Sequence, residues 1–308
     1  MEPGVSRLVV VAGPTGTGKS ELALDLAERL DGEVINADSM QLYRGMDIGT
    51  AKLPPAERRG VPHHLLDVLE VTQTATVAAY QRDARALVQD ILARGRTPLL
   101  VGGSGLYIRA VVDSIEFPAT DPAVRSRLED ELAVLGPAAL AERLREVDPD
   151  AALSIGPANG RKIVRALEVI ELTGRPFSAT MPRYGAPAFD AVQLLLDRET
   201  AGLDVRLADR VQRMVELGLL DEVRQLATRG LRQGVTASRA LGYAQFLAVL
   251  DGTSTVPDAI TQTTQATRRF VRRQRSWFRR DHRMIEVAAD RADLLDRALE
   301  AIAATSVS

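Results

Sequence analysis

The run Gly13-Pro14-Thr15-Gly16-Thr17-Gly18-Lys19-Ser20 satisfies G-x-x-x-x-G-K-[ST] at every fixed position. Glycines at these places let backbone N–H groups converge on phosphate oxygens. A following helix N-terminus adds positive potential, and Lys19 adds a full charge. Ser20 is placed to ligate a Mg²⁺ that bridges two phosphates. The pattern therefore predicts a site for a di- or triphosphate, without specifying which.

Asp38 is the second residue with chemical reach. It leaves an apolar run, Glu33-Val34-Ile35-Asn36-Ala37, that reads as a strand. In open parallel sheets ligands lie beyond the carboxyl ends of the strands, so Asp38 and Ser39 should face the phosphate loop. A carboxylate there suits Mg²⁺ binding or acceptance of a proton from a nucleophile. A Walker-B acid is harder to find. Leu99-Leu100-Val101 ends in Gly-Gly-Ser, and Leu194-Leu195-Leu196 ends in Asp197 late in the chain. An ATP-hydrolysing motor is disfavoured.

Positive charge is concentrated near the C-terminal end. Residues 268–283 hold eight arginines and one acid, Asp281. At about 100° per residue, Arg268, Arg272, Arg275 and Arg279 fall on one stripe and Arg269, Arg273 and Arg280 on another. Phe270, Val271, Trp277 and Phe278 gather on the remaining side. Two such tracks suit a phosphate backbone, so the partner should exceed a mononucleotide. Arg161, Lys162 and Arg165 form a smaller basic face. One of Arg206, Arg210 and Arg213, spaced on a helix, should reach the phosphate site as an added cation. His63-His64 reads as structural.

The remaining sequence must position these groups. Strands are expected at 7–12, 33–37, 98–101 and 192–197, with helices at 18–30 and 76–94. This alternation predicts an α/β parallel sheet covered on both faces. Between residues 116 and 190 strand signals stop, and prolines punctuate short helices. Gly174, Pro176, Pro182, Gly185 and Pro187 mark a return linker. The expected organisation is a P-loop NTPase-like core of 1–116 and 189–308 with a basic helical C-terminal region, interrupted by a helical subdomain at 117–188. Met284-Ile285-Glu286-Val287 is a lone apolar run in an otherwise helical C-terminal part.

Composition bounds the remaining possibilities. At 308 residues, with 45% apolar and 26% charged residues, the chain is an ordinary globular protein with room for a large core. It has no cysteine and three histidines, which excludes disulfides and thiolate metal sites. No signal-peptide h-region or membrane-length apolar run is present, so a cytoplasmic protein is expected. The net charge of −2 does not announce a nucleic-acid partner; the charge distribution does.

Several motifs in order resemble the bacterial type of the tRNA dimethylallyltransferases, also called tRNA isopentenyltransferases. They are the phosphate loop; Ala37-Asp38-Ser39-Met40-Gln41-Leu42-Tyr43; Met46-Asp47-Ile48-Gly49-Thr50-Ala51-Lys52; and Pro62-His63-His64-Leu65-Leu66-Asp67. Gly102-Gly103-Ser104-Gly105-Leu106-Tyr107, the basic run at 161–168, Leu241-Gly242-Tyr243 and Arg272-Arg273-Gln274 with Trp277-Phe278 complete the set. The resemblance implies transfer of a dimethylallyl group from its diphosphate to N6 of the adenosine on the 3′ side of the tRNA anticodon. It implies that Gly13 to Ser20 hold the diphosphate, that Asp38 is the general base, and that Arg210 is the diphosphate-side arginine. Contacts to the anticodon stem-loop would come from Asp38, Ser39, Met40, Gln41, Ser104, Arg125, Arg161, Lys162, Arg165, Arg239, Gly242 and Tyr243. The Arg268, Arg272, Arg275 and Arg279 stripe would add backbone contacts. Mg²⁺ is the implied cofactor, and a monomer is expected. Ser104 stands where relatives often carry Thr, and Ala244 where many carry a basic residue. The zinc-finger extension of eukaryotic relatives is not expected. Rival readings are a small-molecule or nucleotide kinase, which needs no arginine helix, and an RNA-binding protein switched by a nucleotide.

Overall fold

Leu8–Ala12 forms strand β1 because five consecutive apolar residues, all fully buried, can be enclosed only between two covered faces. The computed structural model describes residues 7–180 and 187–305. Helix α1 (Lys19–Arg29) begins directly after Gly18, whose φ of 96° is left-handed backbone that glycine adopts without a Cβ penalty. Strand β2 (Gly32–Asn36) and the short β3 (His63–His64) follow. Helix α2 (Val77–Ala93) starts at Thr76, whose side chain caps the Ala79 amide. Strand β4 (Thr97–Gly102) leads through a tight turn into α3 (Gly105–Val112).

The chain divides into two units, residues 1–113 with 186–308, and residues 114–185. The second unit is helical. Helix α4 (Pro122–Val147) is capped by Asp121 and broken at Gly136, which precedes Pro137. Helices α5 (Pro149–Ile155), α6 (Gly160–Thr173) and α7 (Phe177–Thr180) complete it. Its core is Leu128, Leu140, Leu144, Ile163, Val164 and Leu167. Of the expected return linker, Pro182 and Gly185 lie outside the described residues.

The first unit resumes with β5 (Ala191–Asp197), α8 (Thr200–Glu216), α9 (Leu219–Thr228), α10 (Tyr243–Leu250) and α11 (Val256–Phe278). The strand β6 (Met284–Ala288) and helix α12 (Leu294–Ala304) close it. The strand order is β3-β2-β4-β1-β5-β6, and every pairing is parallel. The lone apolar run 284–287 pairs with β5 at the sheet edge. Alternate residues of the strands serve opposite faces. Val10, Ile35 and Leu100 pack with Tyr80, Val88 and Ile108 of α2 and α3. Val9, Val11 and Leu99 pack with Leu22, Leu26, Ala298 and Ile302 of α1 and α12. His63 Nδ1 lies 2.8 Å from the Val61 carbonyl and His64 Nε2 lies 2.7 Å from Glu33.

Candidate active site

The loops leaving β1, β4 and β2 stand side by side, in the order set by the sheet, and open on a cavity of about 1070 Å³. Thr15, Gly16, Gly18, Lys19 and Ser20 line it from β1, Gly102 and Gly103 from β4, and Asp38 and Gln41 from β2. Helix α8 adds Arg206, Arg210 and Arg213. In the phosphate loop, Lys19 Nζ donates to the Pro14 carbonyl at 2.7 Å, and the Thr17 hydroxyl donates to the same oxygen at 2.9 Å. Ser20 is exposed on the first turn of α1.

Asp38 is held in an Asx turn, in which its Oδ1 accepts from the Met40 amide at 2.9 Å. Its own amide donates to Asn36 Oδ1 at 2.9 Å, which fixes its departure from β2. Ser39 N–H donates to Ser104 Oγ at 3.3 Å. Gln41 Nε2 and Arg210 Nη2 both donate to the Thr50 carbonyl, at 3.2 and 3.3 Å. Electrostatically, Lys19, Asp38 and Arg210 form one group. Desolvation lowers the Lys19 ammonium to about 8; Asp38 opposes that fall and Arg210 adds to it. Burial likewise lowers Arg210, against the pull of Asp38. Two cations facing one carboxylate leave net positive charge, which suits a polyanionic ligand.

Four expected site residues take other roles in the structure. Tyr243 is completely buried and its hydroxyl donates to Glu222 at 2.6 Å, so its side chain is closed to RNA. Arg165 spans the Pro118 and Ala119 carbonyls and the fully buried Glu168, which also binds Arg125 at 2.5 Å. These two arginines neutralise a buried acid of the second unit, although Arg125 remains partly exposed. Arg275 is paired with Asp197 at 2.7 Å and is only 10% exposed in its side chain. Asp197, the Walker-B candidate, is thereby tied into an ion pair.

The α11 stripes also divide differently from the expected pattern. The buried face is Ala259, Thr263, Ala266, Val271, Gln274 and Phe278. Arg268 and Arg275 flank it and bond to Asp204 and Asp197. Arg269, Arg272, Arg273, Arg279 and Arg280 are exposed, so the second stripe and two members of the first share the solvent face. Arg273 lies over the Phe270 ring at 5.7 Å. Arg161 and Lys162 are exposed at the start of α6, and Arg239 is exposed in a 3₁₀ turn before Gly242, which caps α10.

Three residues escaped the sequence reading. Glu222 accepts from the Asp47, Ile48 and Gly49 amides at 2.7–3.1 Å, pinning the segment that carries Thr50. Lys52, 3% exposed in its side chain, donates to Tyr43 O, Asp47 and Asp67. Gln274 bonds to the phosphate loop. Glu222 and Gln274 bind partners far away in sequence, which no local pattern signals, whereas the partners of Lys52 lie within 15 residues of it.

A glycine loop between the central strand of a parallel sheet and a helix, with a lysine and a carboxylate converging on one cavity, defines a phosphate-binding α/β protein of the P-loop type. The family model described as IPP transferase matches residues 41–281. The chain belongs to that family. It is 62% identical over 299 residues to the tRNA dimethylallyltransferase of Salinispora arenicola, covering 97% of this chain and 87% of the relative. It is 60% identical to that of Streptomyces griseus, covering 95% of each. Among solved structures, the full-length tRNA isopentenylpyrophosphate transferase of Bacillus halodurans superposes with a TM-score of 0.72 at 37% identity over 98% of both chains. A eukaryotic dimethylallyltransferase acting on tRNA gives a TM-score of 0.81 at 28% identity, covering 96% of this chain and 77% of the other.

Proposed function

We propose that this protein transfers a dimethylallyl group from dimethylallyl diphosphate to N6 of the adenosine 3′ to the tRNA anticodon. The observation that carries this reading is the convergence of Lys19, Asp38 and Arg210 on one cavity in a member of this family. The amine nitrogen attacks the allylic carbon, a C–N bond forms, and the C–O bond breaks with its electron pair leaving on the diphosphate. Asp38 accepts the amine proton. Lys19, the remaining amides of the phosphate loop (Pro14 has none and Thr15 donates to Gln274) and Arg210 stabilise the charge that develops on the leaving group. The donor set at the loop, a Ser20 hydroxyl beside diphosphate oxygens, is hard and oxygen-only, which fits Mg²⁺; among the described residues no cluster of three acids or histidines provides an all-protein cage. The Ser20 hydroxyl would hold the ion, whose chemistry is to neutralise leaving-group charge.

The adenosine must leave its stack to reach Asp38. Ser39, Met40, Gln41 and Ser104, which follow or bond to the Asp38 turn, would receive it. Exposed Arg269, Arg272, Arg273, Arg279 and Arg280, with Arg161, Lys162 and Arg239, take phosphates of the anticodon stem-loop. No described helix is long and apolar enough to cross a membrane. We read the protein as a cytoplasmic monomer.

Incubating tRNA with the protein, Mg²⁺ and dimethylallyl diphosphate, followed by mass spectrometry of the nucleosides, tests the reading. The expected product is one dimethylallyl group on a single adenosine. Phosphate transfer from ATP to a small acceptor would revive the kinase reading. ATP or GTP hydrolysis with unaltered RNA would favour a nucleotide-switched RNA-binding protein.

A further inference from the structure

Gln274 is the one uncharged polar residue in the run Arg272-Arg273-Gln274-Arg275, and it points inward, 6% exposed. Its side-chain amide uses both ends. Oε1 accepts from the Thr15 amide of the phosphate loop at 3.1 Å. Nε2 donates to the Gly103 carbonyl, in the turn leaving β4, at 2.9 Å. That turn lies between the other two loops of the site because β4 lies between β1 and β2. It is fastened to the Asp38 side as well: Ser104 N–H donates to the Ala37 carbonyl at 3.3 Å, and Ser104 Oγ accepts from Ser39 N–H at 3.3 Å. A continuous hydrogen-bonded path thus runs from Thr15 through Gln274, Gly103 and Ser104 to the residues on either side of Asp38.

The turn is shaped to admit this helix. A Cβ at Gly103 would overlap the Gln274 amide nitrogen, and a Cβ at Gly105 would overlap the Trp277 ring. Both glycines therefore make room for side chains of α11, the helix that presents the exposed arginines.

The geometry points to Gln274 as a positioning residue that sets the spacing between the diphosphate loop and the general base, resting on the activity proposed above. It touches neither substrate nor reacting atoms. An amide is suited to the task because it donates and accepts at fixed separation, and it adds no charge beside a diphosphate. In-line displacement requires the leaving diphosphate and the base to stand at a set distance on either side of the allylic carbon. Misplacement by about 1 Å can cost on the order of 10²-fold in rate.

The test uses the full chain and two variants, Gln274→Met, which keeps the volume and loses both bonds, and Gln274→Glu, which keeps the acceptor for Thr15 and loses the donor to Gly103. Three quantities are measured: the single-turnover rate with tRNA and dimethylallyl diphosphate saturating, the affinity for inorganic diphosphate, and the affinity for tRNA. Gln274→Met should lower the single-turnover rate about 10–100-fold and weaken inorganic diphosphate binding several-fold, with tRNA affinity held within about twofold. Gln274→Glu should also lose rate, in part because it brings a carboxylate near the diphosphate; if the Met variant does not fold, Gln274→Ala, which loses both bonds and adds no charge, decides in its place. A rate within about threefold of the parent overturns the assignment. So does a tRNA affinity that falls in step with the rate, since Gln274 would then only pack α11. If the parent protein leaves tRNA unmodified, the proposed activity has failed; the comparison of inorganic diphosphate affinities still decides Gln274, weaker binding supporting it and equal binding overturning it.

Discussion

Asp38 and Lys19 share the cavity although they leave strands separated by β4, and their charges are coupled: the carboxylate supports an ammonium that desolvation draws down to about 8. Removing the Asp38 carboxylate therefore changes the state of Lys19 as well as taking away its own contribution.

Replacing Asp38 by Ala should reduce single-turnover prenyl transfer by roughly 10²–10⁴-fold, with tRNA affinity largely retained. The same change should lower the Lys19 pKa further, because the stabilising carboxylate is gone. A rate within a few-fold of the parent would remove Asp38 from the role of base.

Lys19 also predicts the pH dependence of diphosphate binding. In the free protein the ammonium loses its proton as pH rises through about 8. A bound diphosphate favours the charged form, so the bound-state pKa lies higher. Below 8 Lys19 is charged in both states and affinity is flat. Above 8 binding must take up a proton, and affinity should fall about tenfold per pH unit until the bound-state value is reached. Calorimetry in buffers of different ionisation enthalpy reads the proton uptake directly. Lys19→Ala should bind weakly and abolish this uptake.

At α11 the structure separates arginines that are exposed to solvent from those bonded within the fold. Neutralising Arg272 and Arg279 together should weaken tRNA binding and make the salt slope shallower by about one unit for each phosphate left without its arginine, with stability little changed. Arg275→Met should do the opposite. It leaves Asp197 without its partner and should cost about 1–3 kcal/mol of folding stability, measured by urea unfolding, while the salt slope stays at the parent value.

Tyr243→Phe removes the hydroxyl that donates to Glu222. It should cost about 1 kcal/mol of stability and leave tRNA affinity unchanged. Glu222→Ala should be more severe, because three backbone amides lose their acceptor and the segment carrying Thr50 is released. Thermal unfolding together with filter binding distinguishes a buried anchor from an RNA contact.

The sequence alone determined the phosphate loop, the strand exit at Asp38 and the parallel α/β core. Each is written in contiguous residues: an apolar run, a glycine loop and an amphipathic helix state their own conformation. Tertiary structure decided the rest. Helical spacing orders the arginines of α11 by angle but does not say which angle meets the core. Phe270 and Trp277, which helical spacing groups with Val271 and Phe278, are only half-buried, while Ala266, Val271, Gln274 and Phe278 lie on the buried face. Arg275 finds its acid 78 residues away and Gln274 its amide 259 residues away. β6 becomes a strand only because the free edge of β5 supplies hydrogen-bond partners, and the buried Tyr243 finds an acceptor for its hydroxyl in the half-buried Glu222. Local preference states what a segment can form; which of its charges are neutralised and which stay free depends on groups that meet only after the sheet has assembled.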